Sequence, residues 1–320
     1  MTPPERASGL HLAAWTALGL AAVVATSALF RLGSLSLTAE EYRWQEVARA
    51  LSVDSLLGLF RHGKGTYRPL CGCALALCDR AALGTTARHA ADALLHLANA
   101  ALLAMLVKRW ASWAAAAIAG AMVVVWSTND EVVLWLGGRC DLLVVFFGLL
   151  GAHATWSAAR SPSFRRTAGF AGLSALTCAL ASLSKETGLL LPIIWLPLLS
   201  FHLLSSRRQL GVLAPALVVA LAVFGVRTSI MSGLGSYVSH YVNLGIMSAA
   251  RNLIAALGLF FLGPAPRPER ALLAAAALTG TLVVLGTAWR HRRTPGFFAC
   301  ALALGATLAP VALLVADRAL

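Results

Sequence analysis

"LHLAAWTALGLAAVVATSALF", residues 10–30, is an apolar run that contains no Asp, Glu, Lys or Arg. About 20 such residues cross the hydrocarbon of a bilayer as a helix, since only a helix satisfies its own backbone N–H and C=O groups where water is absent. The basic flank is weak and no small-residue cleavage site follows, so the run reads as a retained helix and not as a removed leader. The rest of the chain agrees. Over 320 residues it is 59% apolar and 12% charged, with a mean hydropathy of +0.76, which leaves too little polar surface to cover a soluble globule. The expected fold class is therefore all-α, a polytopic transmembrane helical bundle.

Outward from the first run, further apolar stretches of spanning length fall near 89–107, 111–127, 141–158, 168–184, 188–204, 210–231, 271–289 and 297–315, about nine spans in all. The run at 249–266 is short and ends in Gly-Pro-x-Pro, so it is read as lying in the outer interface. Basic clusters at Lys108-Arg109, Arg160 with Arg165-Arg166, Arg207-Arg208 and Arg290 with Arg292-Arg293 then share one side of the membrane. The excess of Lys and Arg on the cytoplasmic side puts them, and the N-terminus, inside. No repeat and no long polar linker divides the chain, so residues 1–320 are expected to form one membrane domain.

In this topology the carboxylates gather on the opposite side. Glu40, Glu41, Glu46, Asp54, Asp79, Asp92, Asp130, Glu131, Asp141, Glu186, Glu269 and Asp317 lie on or near the outer edge, and Glu5 alone is cytoplasmic. Acidic residues contribute little to orientation, so the asymmetry points to chemistry on the outer face. The net charge of +13 is spread over short inside loops without interleaved aromatic residues, which argues against nucleic acid as a partner. Of the six cysteines only Cys71, Cys73 and Cys78 cluster; "CGCALALC" lacks a second pair at zinc spacing, and the three read as small apolar packing residues. No disulfide framework is readable.

Four polar stretches stand at the outer edge: "SLTAEEYRWQEVARAL" (36–51), expected to carry an interfacial helix in the first outer loop, "GKGTYRPL" (63–70), "STNDEVVLWLGGRCDLL" (127–143) and "SLSKETGLLLP" (182–192). Pro69 suits the first turn of a helix. The Gly137-Gly138 pair permits a tight turn before the chain re-enters the membrane at Asp141. Ionisable side chains at such depth pair with one another or face a wet cavity. Carboxylates and cations together at an outer edge suit a lipid-phosphate-linked sugar. The phosphate calls for Arg or Lys, and transfer of the sugar to an acceptor calls for a carboxylate that removes the acceptor's proton. No nucleotide-binding glycine loop is present.

At these residues the sequence resembles the GT-C superfamily of membrane glycosyltransferases. "EEYRWQEVARAL" resembles the D-E-x-R-Y-x-E-x-A-R motif of the aminoarabinose and protein-mannosyl transferase branches. "YRPL", "HLANAALLAML", "NDEVVLWLGGRCDLL" and "SKETGLLLP" follow in the order seen in protein O-mannosyltransferases with a tetratricopeptide tail and in their bacterial relatives. The likeness covers 30–200 at motif level; 201–320 agrees in hydropathy alone. The chain has Glu40 where the family has Asp, and it stops at "PVALLVADRAL" where relatives continue, so a C-terminally truncated product, a fragment and a pared-down relative all stay open.

The resemblance implies an inverting transfer of a hexosyl or mannosyl sugar from a polyprenyl-phosphate donor to a protein or glycolipid acceptor, on the outer face of a bacterial-type inner membrane. It implies Glu40 or Glu41 as general base and Arg43, Arg68, Arg139 and Lys185 as ligands of the donor phosphate. Tyr67, His96, Glu131, Asp141 and Glu186 would orient groups in the cavity. No cofactor is expected; a divalent ion bridging Glu40 and Glu131 is the less favoured alternative. Two other readings stand beside this one: a non-catalytic subunit of the same fold that binds lipid-linked sugar, and, ranked lowest, a lipid or sugar transporter, which would carry ionisable groups at mid-membrane in broken helices.

Overall fold

Among the described residues every regular element is helical. The computed structural model describes residue 60 and residues 67–109, 112–125, 136–196, 199 and 206–231. Helix α1 is Pro69–Arg80, α2 Thr85–Lys108, α3 Trp113–Val125, α4 Arg139–Arg160, α5 Phe164–Ser184, α6 the single turn Leu191–Ile194, and α7 Ser206–Ile230. Four of these helices contain stretches long and apolar enough to cross a membrane: Thr85–Lys108, Arg139–Arg160, Phe164–Ser184 and Leu210–Ile230. Trp113–Val124 is a shorter apolar helix. The expected spans at 10–30, 271–289 and 297–315, the first outer loop and the run at 249–266 lie outside the described residues.

Burial is mixed: a mainly apolar core of small residues coexists with buried charges and with large apolar side chains left exposed along the helices. Leu94, Met105, Ile118, Leu176 and Val218 stand exposed in mid-helix, whereas Arg88, His89, Asp92, His96, Asn99 and Arg139 are buried. Four helices long and apolar enough to span, with large apolar side chains exposed along them, suit lipid contact. The chain is a helical membrane protein.

Helix boundaries follow local chemistry. Proline lacks the N–H that the first turn leaves unpaired, and α1 begins at Pro69. It ends in a Schellman motif: the Leu83 amide bonds the Cys78 carbonyl at 3.1 Å and the Ala82 amide bonds that of Asp79 at 3.0 Å, with Ala82 at φ 50°. Ser112 caps α3, its Oγ accepting from the Ala115 amide at 3.2 Å, and Ser163 caps α5 through the Arg166 amide at 3.2 Å. Leu136–Gly138 forms a turn of 3-10 helix that feeds directly into α4. A sixth span was expected near 188–204. The described part of it opens as a 3-10 turn, Glu186–Leu190, before α6.

The described residues divide into two units, one drawn from 68–153 and 180–186, the other from 67, 154–179 and 187–231. In the first, α2 and α3 form an antiparallel hairpin in close approach. A Cβ on Gly120 would lie 3.2 Å from the Ala100 carbonyl oxygen and 3.2 Å from the Ala104 methyl group. Small residues permit such contact between membrane helices, where packing replaces the hydrophobic driving force. Gly120→Leu is expected to separate the hairpin at a cost of about 2 kcal/mol, seen as a lowered unfolding midpoint in detergent. An unchanged midpoint would show that the two helices can part freely. Polar ties join α2 to its other neighbour: Asn99 Nδ2 donates to the Leu142 carbonyl at 3.0 Å and His153 Nε2 to that of Leu102 at 3.0 Å. Within the second unit, α4 and α5 share a buried Thr155 Oγ1–Ser174 Oγ hydrogen bond of 2.8 Å, and α6 packs on α7.

At helix ends, Lys108 Nζ lies 5.0 Å from the centroid of the Trp113 ring, and Arg160 Cζ lies 5.7 Å from that of Trp156. Cations on aromatic faces suit the water–lipid boundary, where one end of the pair is wet.

Candidate functional site

The first unit gathers charged side chains where α1, α2 and α4 begin and α5 ends. Arg68, the residue before α1, binds Glu186 with two parallel bonds, Nη2 to Oε1 at 2.7 Å and Nε to Oε2 at 3.1 Å. Lys185, which follows the last residue of α5, places Nζ 2.5 Å from Oδ1 of Asp141 in the first turn of α4. Asp141 at the N-terminus of α4 and Lys185 at the C-terminus of α5 each suit the helix dipole. The C-terminal turn of α5 is held locally: Ser184 Oγ donates to the Leu180 carbonyl at 2.8 Å, and the Lys185 amide to that of Ala181 at 3.0 Å. Lys185 and Glu186 therefore leave a common backbone joint and reach partners in two different segments.

Arg139, expected among the phosphate ligands, has a different environment. Its Nε and Nη2 bind Asp92 Oδ1 and Oδ2 at 2.6 and 3.0 Å, Nη2 also donates to the Arg88 carbonyl at 3.2 Å, and Nη1 to Cys78 Sγ at 3.0 Å. The residue is 4% exposed and Asp92 1%. Beside it Arg88 binds Asp79 through Nη2 at 2.5 Å and the Leu83 carbonyl through Nε at 2.8 Å, which secures the turn between α1 and α2.

Magnitudes separate these pairs. Solvent-exposed ion pairs are worth about 0.2–1 kcal/mol. Side-chain exposures of 19% and 35% for Arg68 and Glu186, and 23% and 34% for Lys185 and Asp141, put both pairs between that surface class and a buried one. Removing one partner of a buried pair costs about 3–5 kcal/mol. Arg139 with Asp92, at 5% and 1%, belongs there. Arg68 and Lys185 thus keep some contact with solvent, whereas Arg139 is sealed against Asp92 and ties α4 to α2.

A disulfide, Cys71–Cys140, ties the start of α1 to the start of α4 across a sequence separation of 69. It is buried with Leu75 and Ala76. In the chain-entropy account a closed loop of that size contributes about 4 kcal/mol. The expectation that Cys71 only packs is corrected here, and its pairing with Cys140 had no signal in the spacing. Burial pushes the thiol of neighbouring Cys73 up, which keeps it protonated and disfavours attack on the disulfide.

Of the other expected site residues, His96 is buried and its Nε2 donates to the Val123 carbonyl at 3.1 Å, securing α2 to α3. Tyr67 belongs to the second unit, where its carbonyl accepts from Arg227 Nη1 at 3.5 Å; burial raises its phenol, which stays neutral at physiological pH. Glu40, Glu41, Arg43 and Glu131 lie outside the described residues. Arg88, Asp79 and Asp92 had no assigned site role in the sequence and Cys78 was expected only to pack, although Arg88, Asp92, His96 and Asn99 recur at helical spacing along a largely apolar run. That periodicity marks a buried polar face.

No protein-family model matches the chain, and neither the curated proteins nor the solved structures compared with it include a similar one.

Proposed function

We propose that this protein is a membrane glycosyltransferase of GT-C type, which moves a sugar from a polyprenyl-phosphate donor to a protein or glycolipid acceptor on the outer face of a bacterial-type inner membrane. The observation that carries the reading is the convergence of Arg68, Asp141, Lys185 and Glu186 at one end of the first unit. Arg68 and Glu186 are 118 residues apart in sequence, and both cations remain within reach of solvent. In this reading Arg68 and Lys185 hold the donor phosphate, with Arg43 from the first loop, while Arg139 and Asp92 set the position of α4 and so of Asp141. Glu40 or Glu41 takes the acceptor's proton as its oxygen or nitrogen attacks C1 of the sugar, and the C1–O bond to phosphate breaks. His96 and Glu131 are the further residues of the first unit's cavity in this reading. The disulfide supports an oxidising, outer location for this end, and the basic residues at the far end of α2 and of α4 fit the cytoplasmic side.

The test is acceptor-dependent release of polyprenyl phosphate by the purified protein from a pool of polyprenyl-phosphate sugars. Release that requires acceptor supports a transferase. Binding of the pool without release favours the second reading, a non-catalytic subunit that holds lipid-linked sugar. That alternative draws on the same two pairs, whose cations are already matched by internal carboxylates.

A further inference from the structure

Resting on the phosphate-site reading above, we infer that Glu186 and Asp141 are internal competitors of the ligand: they occupy Arg68 and Lys185 in the empty site and are displaced by the phosphate group. Arg68 offers Glu186 its Nε and Nη2 edge at 3.1 and 2.7 Å, a fork that fits two oxygens of a carboxylate or of a phosphate alike. The acid thus occupies the place that a phosphate would take, and preserves the geometry that binds it. Lys185 is engaged in the same way by Asp141 at 2.5 Å. The four charges sum formally to zero, so an arriving anion gains nothing from them until a carboxylate withdraws. Partial exposure of all four side chains makes withdrawal into water feasible, which the buried Arg139–Asp92 pair does not allow. Because Lys185 and Glu186 are adjacent, a phosphate that takes either cation disturbs the joint that carries both. The result is a latch that re-closes when the phosphate leaves, with Glu186 and Asp141 returning to their cations and opposing rebinding.

The consequence is opposite in sign to that of an orienting role. Removing a competing acid should strengthen phosphate binding, whereas removing an orienting acid should weaken it. The experiment measures binding of polyprenyl phosphate, and separately of inorganic phosphate, to the full chain in nanodiscs for the parent, Glu186→Gln, Asp141→Asn, the double variant and Glu186→Asp. Either amide variant should bind about threefold more tightly and the double variant about tenfold, the loss of an exposed pair's worth of competition at each site. Glu186→Asp should stay near the parent. Tightening with both probes shows that phosphate alone opens the latch; tightening confined to the lipid-linked probe shows that the tail is needed to seat it, and either supports the exchange. Parent binding with equal or weaker binding by the folded amide variants overturns the latch and leaves the phosphate site standing. If neither the parent nor any variant binds either probe, the phosphate site itself fails, and the latch with it. Should Glu186→Gln lose its unfolding transition, Asp141→Asn, in the other pair, decides alone.

Discussion

Asp92→Ala is expected to lower the stability of the protein by about 3–5 kcal/mol, a large share of the roughly 5–15 kcal/mol that holds a typical protein folded. The substitution leaves the Arg139 guanidinium, 4% exposed, without the carboxylate that receives its Nε and Nη2. Neither the Arg88 carbonyl nor Cys78 Sγ carries the full charge that the carboxylate supplies. Thermal unfolding in detergent, followed by circular dichroism, measures the loss. The double variant Asp92→Leu with Arg139→Met should recover much of it, because a buried ion pair can often be replaced by apolar side chains of similar volume at little cost. If Asp92→Ala unfolds at the parent's midpoint, Arg139 has another anion or water to turn to, and it would return to the candidates for binding phosphate.

Under the proposed reaction the double variant Glu40→Gln, Glu41→Gln should slow release of polyprenyl phosphate by about 10²–10⁴-fold, the usual contribution of a general base. Single variants identify which carboxylate acts, since the spectator should retain most of the parent's rate. Glu40→Asp is the sharper probe. Glu40 stands where the resembled family has Asp, and one methylene shifts a carboxylate by roughly 1 Å, a displacement able to cost about a hundredfold. If Glu40 is the base and its backbone is set for the longer side chain, shortening it should lower the rate by about that factor. An unchanged rate in both single variants and in the double variant would remove the first loop from the proton transfer, while leaving the phosphate site to be judged by binding.

The helices were legible because their causes are local. Apolar runs near 89–107, 141–158, 168–184 and 210–231 became α2, α4, α5 and α7, and Pro69 starts α1 as its missing N–H predicts. Part of the site was legible for a related reason: Lys185, Glu186 and Asp141 interrupt apolar sequence at helix ends, where a charge needs a partner or a wet surface. Their partners were not legible. Nothing in the order of residues distinguishes Arg68 from Arg139 as a cation near the outer edge, yet one is partly exposed on Glu186 and the other is sealed against Asp92. Cys71 and Cys140 likewise carried no spacing signal.

The sequence by itself determined that this is a helical membrane protein and where several of its helices end, because backbone hydrogen bonding in lipid, proline geometry and charge at helix termini act over a few residues. Tertiary structure alone decided which carboxylate holds which cation, and therefore which cations stay in contact with solvent. That choice depends on burial, and burial is created only when α1, α2, α4 and the end of α5 come together from distant parts of the chain.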